Sequence, residues 1–492
     1  MSTYEDEYDD KTLRERIAAN PRPALVWLVP AVVLVAVEFG ALFGLVMGLP
    51  WNLVVGGLAS ALPGALGAAV TGVGSFFAGI GNALASVPTL LSRGLIPNQG
   101  YHQPGVGWQG TFLGLAPAYA WAIRVVLVYA YSAVLLYWGW RGYLVFREHY
   151  RYADWTPTDD MIDRLRHHRW GQFGLVIVLA FLVMATFAPT LGPTTVQQNI
   201  KNPYTNQIQY WNGDSVANAS VGAANLASAS QGDSQNFGIG SYDDYGRFHP
   251  FGTLPNGKDL FTFMMAGARI SLFIGLTASV IAGGIALALA LLTAYYKGLL
   301  DLIAVVTSDS FMAMPRLLVL IMLSVMLAGT WIDTIFSGAL LLALLFGAWG
   351  WPALWRAVRG PAFQTVESEW IDAAESFGER PRVLVRKHIA PYVIGYLLIY
   401  LSMSLGGYMI GTAGLSYLGL GVQSPTPEWG RAIAMGQQYI TSASWHVSIL
   451  PGLAITIIVV AFNALGDGIR DAIDPQSEGA TSDEVAAAGG GA

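Results

Sequence analysis

Long uncharged runs alternate with short charged islands along this chain. Apolar runs lie at 24–49, 112–140, 171–191, 313–330, 333–352 and 447–466; a further run ends near Tyr295 and another extends from Pro391 to about Leu415. Several reach the ~20 residues that a helix needs to cross a bilayer. The alternating short strands of a transmembrane barrel are absent, so these runs predict spanning helices. The densest island is 353–391, with 11 charged residues in 39. Within it Val366, Trp370, Ala373 and Phe377 recur at steps of four, three and four, one face of a helix. Glu367, Glu369, Asp372 and Glu375 fall mostly on other faces. Gly378 is placed to end that helix, and Pro381 suits the first turn of a second one. The second helix carries Arg382, Arg386 and Lys387 and is expected to stop near Pro391. A helix, a sharp turn and a helix between two spans suit docking into another protein. A solvated loop whose positive charge marks the cytoplasmic side fits the same residues.

Charge sets the orientation. The leader carries Lys11, Arg14, Arg16 and Arg22, and the island 141–169 carries six arginines, so both face the cytoplasm. An even number of crossings between them follows. The runs 24–49 and 112–140 supply two, which leaves the Gly/Ala-rich segment 51–92 as external, re-entrant or interfacial helices. Eight crossings with the amino end inside place 367–391 inside as well. A short cytoplasmic turn is expected from Lys297 to Asp309. Two charges interrupt the first spans, Glu38 and Arg124. A lone arginine at mid-span costs roughly 3 kcal/mol, so an intramembrane ion pair between Glu38 and Arg124 is expected. His149, His167 and His168 read as membrane-flanking basic residues rather than ligands, and no metal site is expected. The external loop after 191 holds a sequon, Asn218-Ala219-Ser220.

Composition narrows the class. Of 492 residues 54% are hydrophobic and 12% charged, which excludes an ordinary soluble domain. The absence of cysteine excludes disulfides and thiolate metal sites. No cleavable signal peptide is expected, because the first apolar run is too long for one. There is no GxxxxGK[ST] loop and no HExxH. The apolar centres of the six spans from 171 onward lack Asp, Glu, His, Lys and Arg, residues that ion-coupled carriers commonly hold at midplane. This favours a non-catalytic conduit driven from outside the membrane, with any ATP hydrolysis supplied by a partner. A secondary carrier for small solutes is the alternative.

Three stretches carry a family resemblance. Asp372-Ala373-Ala374, three residues, Gly378 and then Pro391 resemble the EAA loop of ABC importer permeases, with Asp for the usual Glu and Ala390 where Leu is common. His249-Pro250-Phe251-Gly252-Thr253, then Gly257-Lys258-Asp259, then Gly267-Ala268-Arg269 resemble the lead-in to the C-type permease of dipeptide, oligopeptide and nickel importers. There Lys258 replaces an arginine, which keeps charge and alters hydrogen-bond geometry. Independently, Asn256-Gly257 reads as a turn and Asp259 as a helix cap. The stretch from Gly414 through Gly419, Gly421, Pro427, Glu428 and Trp429 is similar to the same family's signature, as is FNALGDGIRDAIDP in the last span. The net charge of −6 comes largely from acidic tails, and only 5 of 26 basic residues are lysine, a bias similar to that of salt-adapted archaeal proteins.

The resemblance implies an all-α polytopic membrane protein with the type I ABC importer fold, a six-helix core plus two extra N-terminal spans, in the plasma membrane. The expected organisation is a polar leader at 1–22, an extension at 23–146, a cytoplasmic linker at 147–170, the permease core at 171–475 and an acidic tail at 476–492. The core contains an external loop at 193–262 and a coupling loop at 353–391. Glu369, Asp372, Ala373, Ala374, Gly378, His388 and Pro391 would meet the ATPase. Implied partners are two cytoplasmic ATPase subunits that use ATP and Mg, a second permease, an external substrate-binding protein and membrane lipid, with no nucleic acid. No cofactor is expected on this chain. Dipeptides or oligopeptides are the implied cargo, with nickel or another small solute as the alternative.

Overall fold

The computed structural model describes residues 12–42, 55–57, 59, 64–85, 89, 91–153 and 155–473. The tail at 476–492 and parts of the leader and of 51–92 lie outside the described residues. Helix α1 (Leu13–Ala19) meets α2 (Pro21–Val37) at a 100° bend, and α3 (Gly64–Ala85) follows. Next come α4 (Pro117–His149), α5 (Pro157–His167), α6 (Arg169–Thr186) and α7 (Leu260–Tyr296). Then α8 (Gly298–Ala313) and α9 (Arg316–Met326) form a pair bent by 84°. The chain continues through α10 (Ala339–Val366), α11 (Glu369–Ser376), α12 (Ala390–Tyr417), α13 (Trp429–Gly436) and α14 (His446–Ile473). Six helices among the described residues are long and apolar enough to cross a membrane, and up to eight if each bent pair is one span. The expected eight crossings correspond to the six plus the two bent pairs.

The expected short turn from Lys297 to Asp309 is instead a non-helical Lys297 followed by the helix α8. Its exposed leucines and valines, including Leu299, Leu302 and Val306, form an apolar outer face, while Asp301 and Asp309 pair with Arg359 and Arg356 of α10. Pro315 then breaks the helix before α9.

Helix α7 is the central rod, packed against α10, α12 and α6. Ala278, Ala282, Ala286, Ala290 and Ala294, four apart and fully buried, give it a smooth stripe. Gly347 and Gly350 of α10 meet it so closely that an added Cβ would lie 2.8 Å from Ile281 and 3.2 Å from Ala282. Close approach of backbones through small residues is how helices pack without a hydrophobic driving force in lipid.

Outside the spans, three antiparallel hairpins form: β1 (Tyr101–Gln103) with β2 (Gly107–Gln109), β3 (Gln207–Trp211) with β4 (Val216–Ser220), and β5 (Ser241–Tyr242) with β6 (Phe248–His249). Asn218 is exposed on β4. At the opposite end His168 pairs with Asp471 at 2.9 Å, which ties the start of α6 to the end of α14.

Candidate functional site

The charged island folds into the helix, turn and helix that its pattern predicts, with two changes. Val366 closes α10, so the apolar stripe is interrupted at Glu367 and Ser368 before α11 begins. Ile371 is buried and Ala374 packs beside it against a cluster that includes Trp355, Leu384 and Ile389. Trp370, Ala373 and Phe377 face outward, and Phe377 is 91% exposed. Glu369 and Asp372 are exposed with them. The helix ends in a Schellman turn: the Glu379 N–H donates to the Ala374 carbonyl at 3.2 Å and the Gly378 N–H to that of Glu375 at 2.9 Å. Gly378 has φ +82, which glycine adopts without strain. His388 Nε2 meets Glu379 Oε2 at 2.8 Å and fastens the turn to the segment that follows.

That segment does not stop at Pro391. A wide π turn at Leu384–Ile389 leads directly into α12, with Pro391 in its first turn. The proline's missing N–H is harmless there, because the first-turn donors of a helix have no intrahelical partners. The result is one continuous helical rod over Pro381–Tyr417, 37 residues, or about 55 Å at 1.5 Å per residue.

At the other face, the lead-in motif builds a buried polar knot. Asp259 caps α7, accepting from the Thr262 N–H at 2.7 Å, while its second oxygen meets His249 Nδ1 at 2.9 Å. The other ring nitrogen faces Asp243 Oδ2 at 3.4 Å. Arg247 Nε donates to the same Asp243 oxygen at 2.7 Å, and its Nη1 donates to Asn225 Oδ1 at 2.7 Å. Asn199 accepts from the Asp259 N–H at 2.9 Å. Burial pushes the His249 imidazole down, but the hydrogen bonds and charges of Asp243 and Asp259 outweigh it and raise it above the ordinary value. Burial likewise pushes Asp243 up, and the His249 hydrogen bond and Arg247 charge reverse this and hold it well below the carboxylate range.

The neighbouring motif residues fit around this knot. Gly252 abuts His446, where a Cβ would lie 2.6 Å from its Nε2. Pro250 lies in the turn beside it. Gly257, at φ +73, passes so close to Asn225 that a Cβ would sit 1.6 Å from the Asn225 carbonyl oxygen. Lys258 Nζ donates to the Ile200 carbonyl at 3.1 Å.

In the third motif Glu428 is buried and caps α13, accepting from the Gly430 and Arg431 N–H groups at 2.9 Å each. Trp429, fully buried, donates its Nε1–H to the Met264 carbonyl of α7 at 2.7 Å. Gly419 has φ +79, and Gly421 presses against Ser416, where a Cβ would be 2.1 Å from its Oγ. Trp429→Phe is therefore expected to lower stability by about 1 kcal/mol, the net value of one hydrogen bond. A thermal midpoint measured in detergent checks this; a midpoint equal to wild type would mean the Met264 carbonyl finds another donor.

The second and third motifs converge on one cavity of about 540 Å³. Arg269 and Pro427 both line it, with Phe273, Phe336, Lys201 and the segment Thr195–Gln197. Its wall is mainly apolar and its charged lining residues are both cationic.

Glu38 and Arg124 are both fully buried, yet in place of the expected ion pair each has its own set of partners. Arg124 lies only two turns into α4, not at mid-span, within reach of external backbone. It donates to the carbonyls of Thr190, Ile96 and Gly192 and to Asn98 Oδ1, all at 2.8–2.9 Å. Glu38 accepts from the Leu91 N–H at 2.8 Å. Fixed carbonyls satisfy the planar guanidinium fork without a counter-charge.

Asp243, Arg247, Asn199 and Asn225 are partners that sequence reasoning missed. The one local signal was the i, i+4 spacing of Asp243 and Arg247 just before His249. Among the described residues no group of three or more His, Asp or Glu is placed to hold a metal ion.

Two family models match the chain: residues 260–478 match the inner membrane component of binding-protein-dependent transport systems, and residues 156–207 the N-terminal transmembrane domain of oligopeptide transport permease C. The dipeptide transport system permease of Bacillus subtilis is 30% identical over 319 residues, covering 65% of this chain and 86% of that protein. A glutathione transport system permease of Escherichia coli is 35% identical over 231 residues, 47% of this chain and 73% of its own length. The dipeptide transport system permease of Alkalihalophilus pseudofirmus is 28% identical over 326 residues, 66% and 92%.

Proposed function

The chain belongs to the permease subunits of peptide ABC importers, consistent with the C-type subunit, and on that premise we propose that it imports dipeptides or oligopeptides with α11 as its coupling helix. It is a multi-pass, non-catalytic transport subunit. The observation that carries the coupling proposal is the exposed face of Glu369, Asp372, Ala373 and Phe377, mounted on a helix whose opposite face is buried through Ile371. Closure of two cytoplasmic ATPase subunits on ATP would push that face. The Schellman turn and the Glu379–His388 contact join it to the rod Pro381–Tyr417.

The far end of the rod meets α13 backbone to backbone: a Cβ on Gly430 would lie 2.3 Å from the Ala413 carbonyl oxygen. Motion at α11 therefore reaches the Pro427 side of the cavity, and Trp429 carries it to α7. A second permease would close the cavity into a path, and an external binding protein would deliver cargo at the lead-in face.

The test is uptake of tritiated dialanine by proteoliposomes holding the whole complex, with binding protein outside. Vesicles enclosing ATP are expected to accumulate the dipeptide, and vesicles enclosing ADP are not. Equal accumulation with ADP under an imposed ion gradient would make the chain part of a secondary carrier and overturn the reading. Accumulation of nickel but not of dialanine would keep the importer and replace the cargo.

A further inference from the structure

Residues N-terminal to 156 lie outside both matched family models, yet they bond to an unbroken run of backbone just after α6. Five consecutive backbone carbonyls, Pro189 to Pro193, each accept a hydrogen bond from a side chain of the segment 93–124. Arg93 donates to Pro189 at 2.5 Å and to Gly192 at 2.8 Å. Arg124 donates to Thr190 and Gly192 at 2.9 Å each. Trp121 donates to Leu191 at 2.9 Å and Asn98 to Pro193 at 3.0 Å. Arg124 also orients Asn98 through its Oδ1 at 2.8 Å, and the Glu38 carboxylate holds the Leu91 N–H two residues before the segment.

The carbonyls concerned close the short helix Ala188–Leu191 and the bend after it, where a helix end leaves acceptors without intrahelical donors. Ala188, Pro189 and the adjoining Thr195–Gln197 line the cavity that also holds Arg269 and Pro427. Trp121 further packs edge-on against Phe261 of α7 at 5.2 Å and lies 5.6 Å from Phe248 of β6.

We propose that segment 93–124 of the N-terminal extension is a positioning clamp that holds the 188–197 wall of the cavity fixed. The extension then acts as a built-in accessory element of the translocation path. With this wall clamped, the moving side of the cavity is the one reached by the α12 rod, through Pro427 and α7. Arg93, Asn98, Trp121 and Arg124 are positioning residues, since they act through the backbone of 189–193. Transport itself rests on the function proposed above; the clamp's geometry does not.

The protein has no cysteine, so a single introduced thiol reports one site. Thr195→Cys is placed in the parent and in Arg93→Leu/Arg124→Leu, and the rate of maleimide labelling is measured in the assembled complex in membranes. Uptake of dialanine is measured in the cysteine-free versions. The double variant is expected to label at least five-fold faster. Its maximal uptake is expected to fall at least five-fold, with the half-saturating concentration of loaded binding protein unchanged. Arg124→Lys, restored alone in the Arg93 wild type, is expected to regain at least half of both. If the double variant fails to reach the membrane, Trp121→Phe, which removes one donor, is expected to give about a two-fold rise in labelling. Labelling within experimental error of the parent in every variant that reaches the membrane would overturn the clamp. Absence of dialanine uptake in the parent would overturn the cargo reading and leave the labelling comparison to decide the clamp.

Discussion

Phe377→Asp is expected to leave the membrane level and thermal midpoint of this chain unchanged while reducing recovery of its ATPase partners at least ten-fold in mild detergent. The side chain is 91% exposed, so the fold of this chain draws almost nothing from it. On the proposed docking helix a ring left that open would serve as the anchor for a pocket on the ATPase, and buried aromatic anchors contribute most of the energy of an interface. Ten-fold corresponds to about 1.4 kcal/mol, a modest demand on one such anchor. Ala374→Arg provides the contrast. Ala374 packs inward against the cluster around Ile389, so a long cation there is expected to lower the thermal midpoint as well as partner recovery. Unchanged ATPase recovery with Phe377→Asp, at a normal membrane level, would remove α11 as the docking helix.

Asp243→Ala is expected to destabilise the external loop by about 3–5 kcal/mol, the range for breaking a buried ion pair by deleting one partner. Arg247 would be left buried without its carboxylate partner, and His249 would lose one of its two carboxylate neighbours. The same knot makes the loop pH-dependent. The folded value of His249 is raised, so its contribution is full below the unfolded value of about 6.5 and is lost as pH rises through the folded value. The folded value of Asp243 is lowered, so its contribution is full above about 3.9 and is lost as pH falls through the folded value. Hydrogen-exchange protection of 225–262 is therefore expected to be greatest between roughly pH 4 and 6.5 and to weaken as pH rises through the raised His249 value. His249→Gln should abolish the alkaline loss. Protection that stays level from neutral to alkaline pH in the wild type would mean the imidazole is neutral in the folded protein.

Much of the candidate site was legible because its signals are local. Gly378 and Pro381 punctuate the 353–391 loop through backbone preferences that act within a few residues. Asp259 was readable as a cap for the same reason, as were the membrane helices, whose length and lack of charge are properties of single segments. The reading failed where a residue's partner is distant. Pro391 looked like a terminator, yet the π turn before it lets the helix continue, because a first-turn proline has no hydrogen bond to lose. Arg124 and Glu38 looked like partners because charge was the one property that one-dimensional reading matches. In three dimensions the guanidinium meets a row of carbonyls.

The sequence by itself determined the class of protein, its helical spans and the three motifs that mark it as a permease. Each of these follows from hydrophobic length, charge bias or turn chemistry, which need no knowledge of distant contacts. Only the tertiary structure decided that Phe377 faces out while Ala374 faces in and that Arg269 and Pro427 share one cavity. It alone decided that His249 joins Asp243 to Asp259 and that the extension caps the carbonyls of 189–193. Those outcomes depend on which buried donors and acceptors the packed helices bring within 3 Å of one another, a matter of geometry that a linear pattern does not contain.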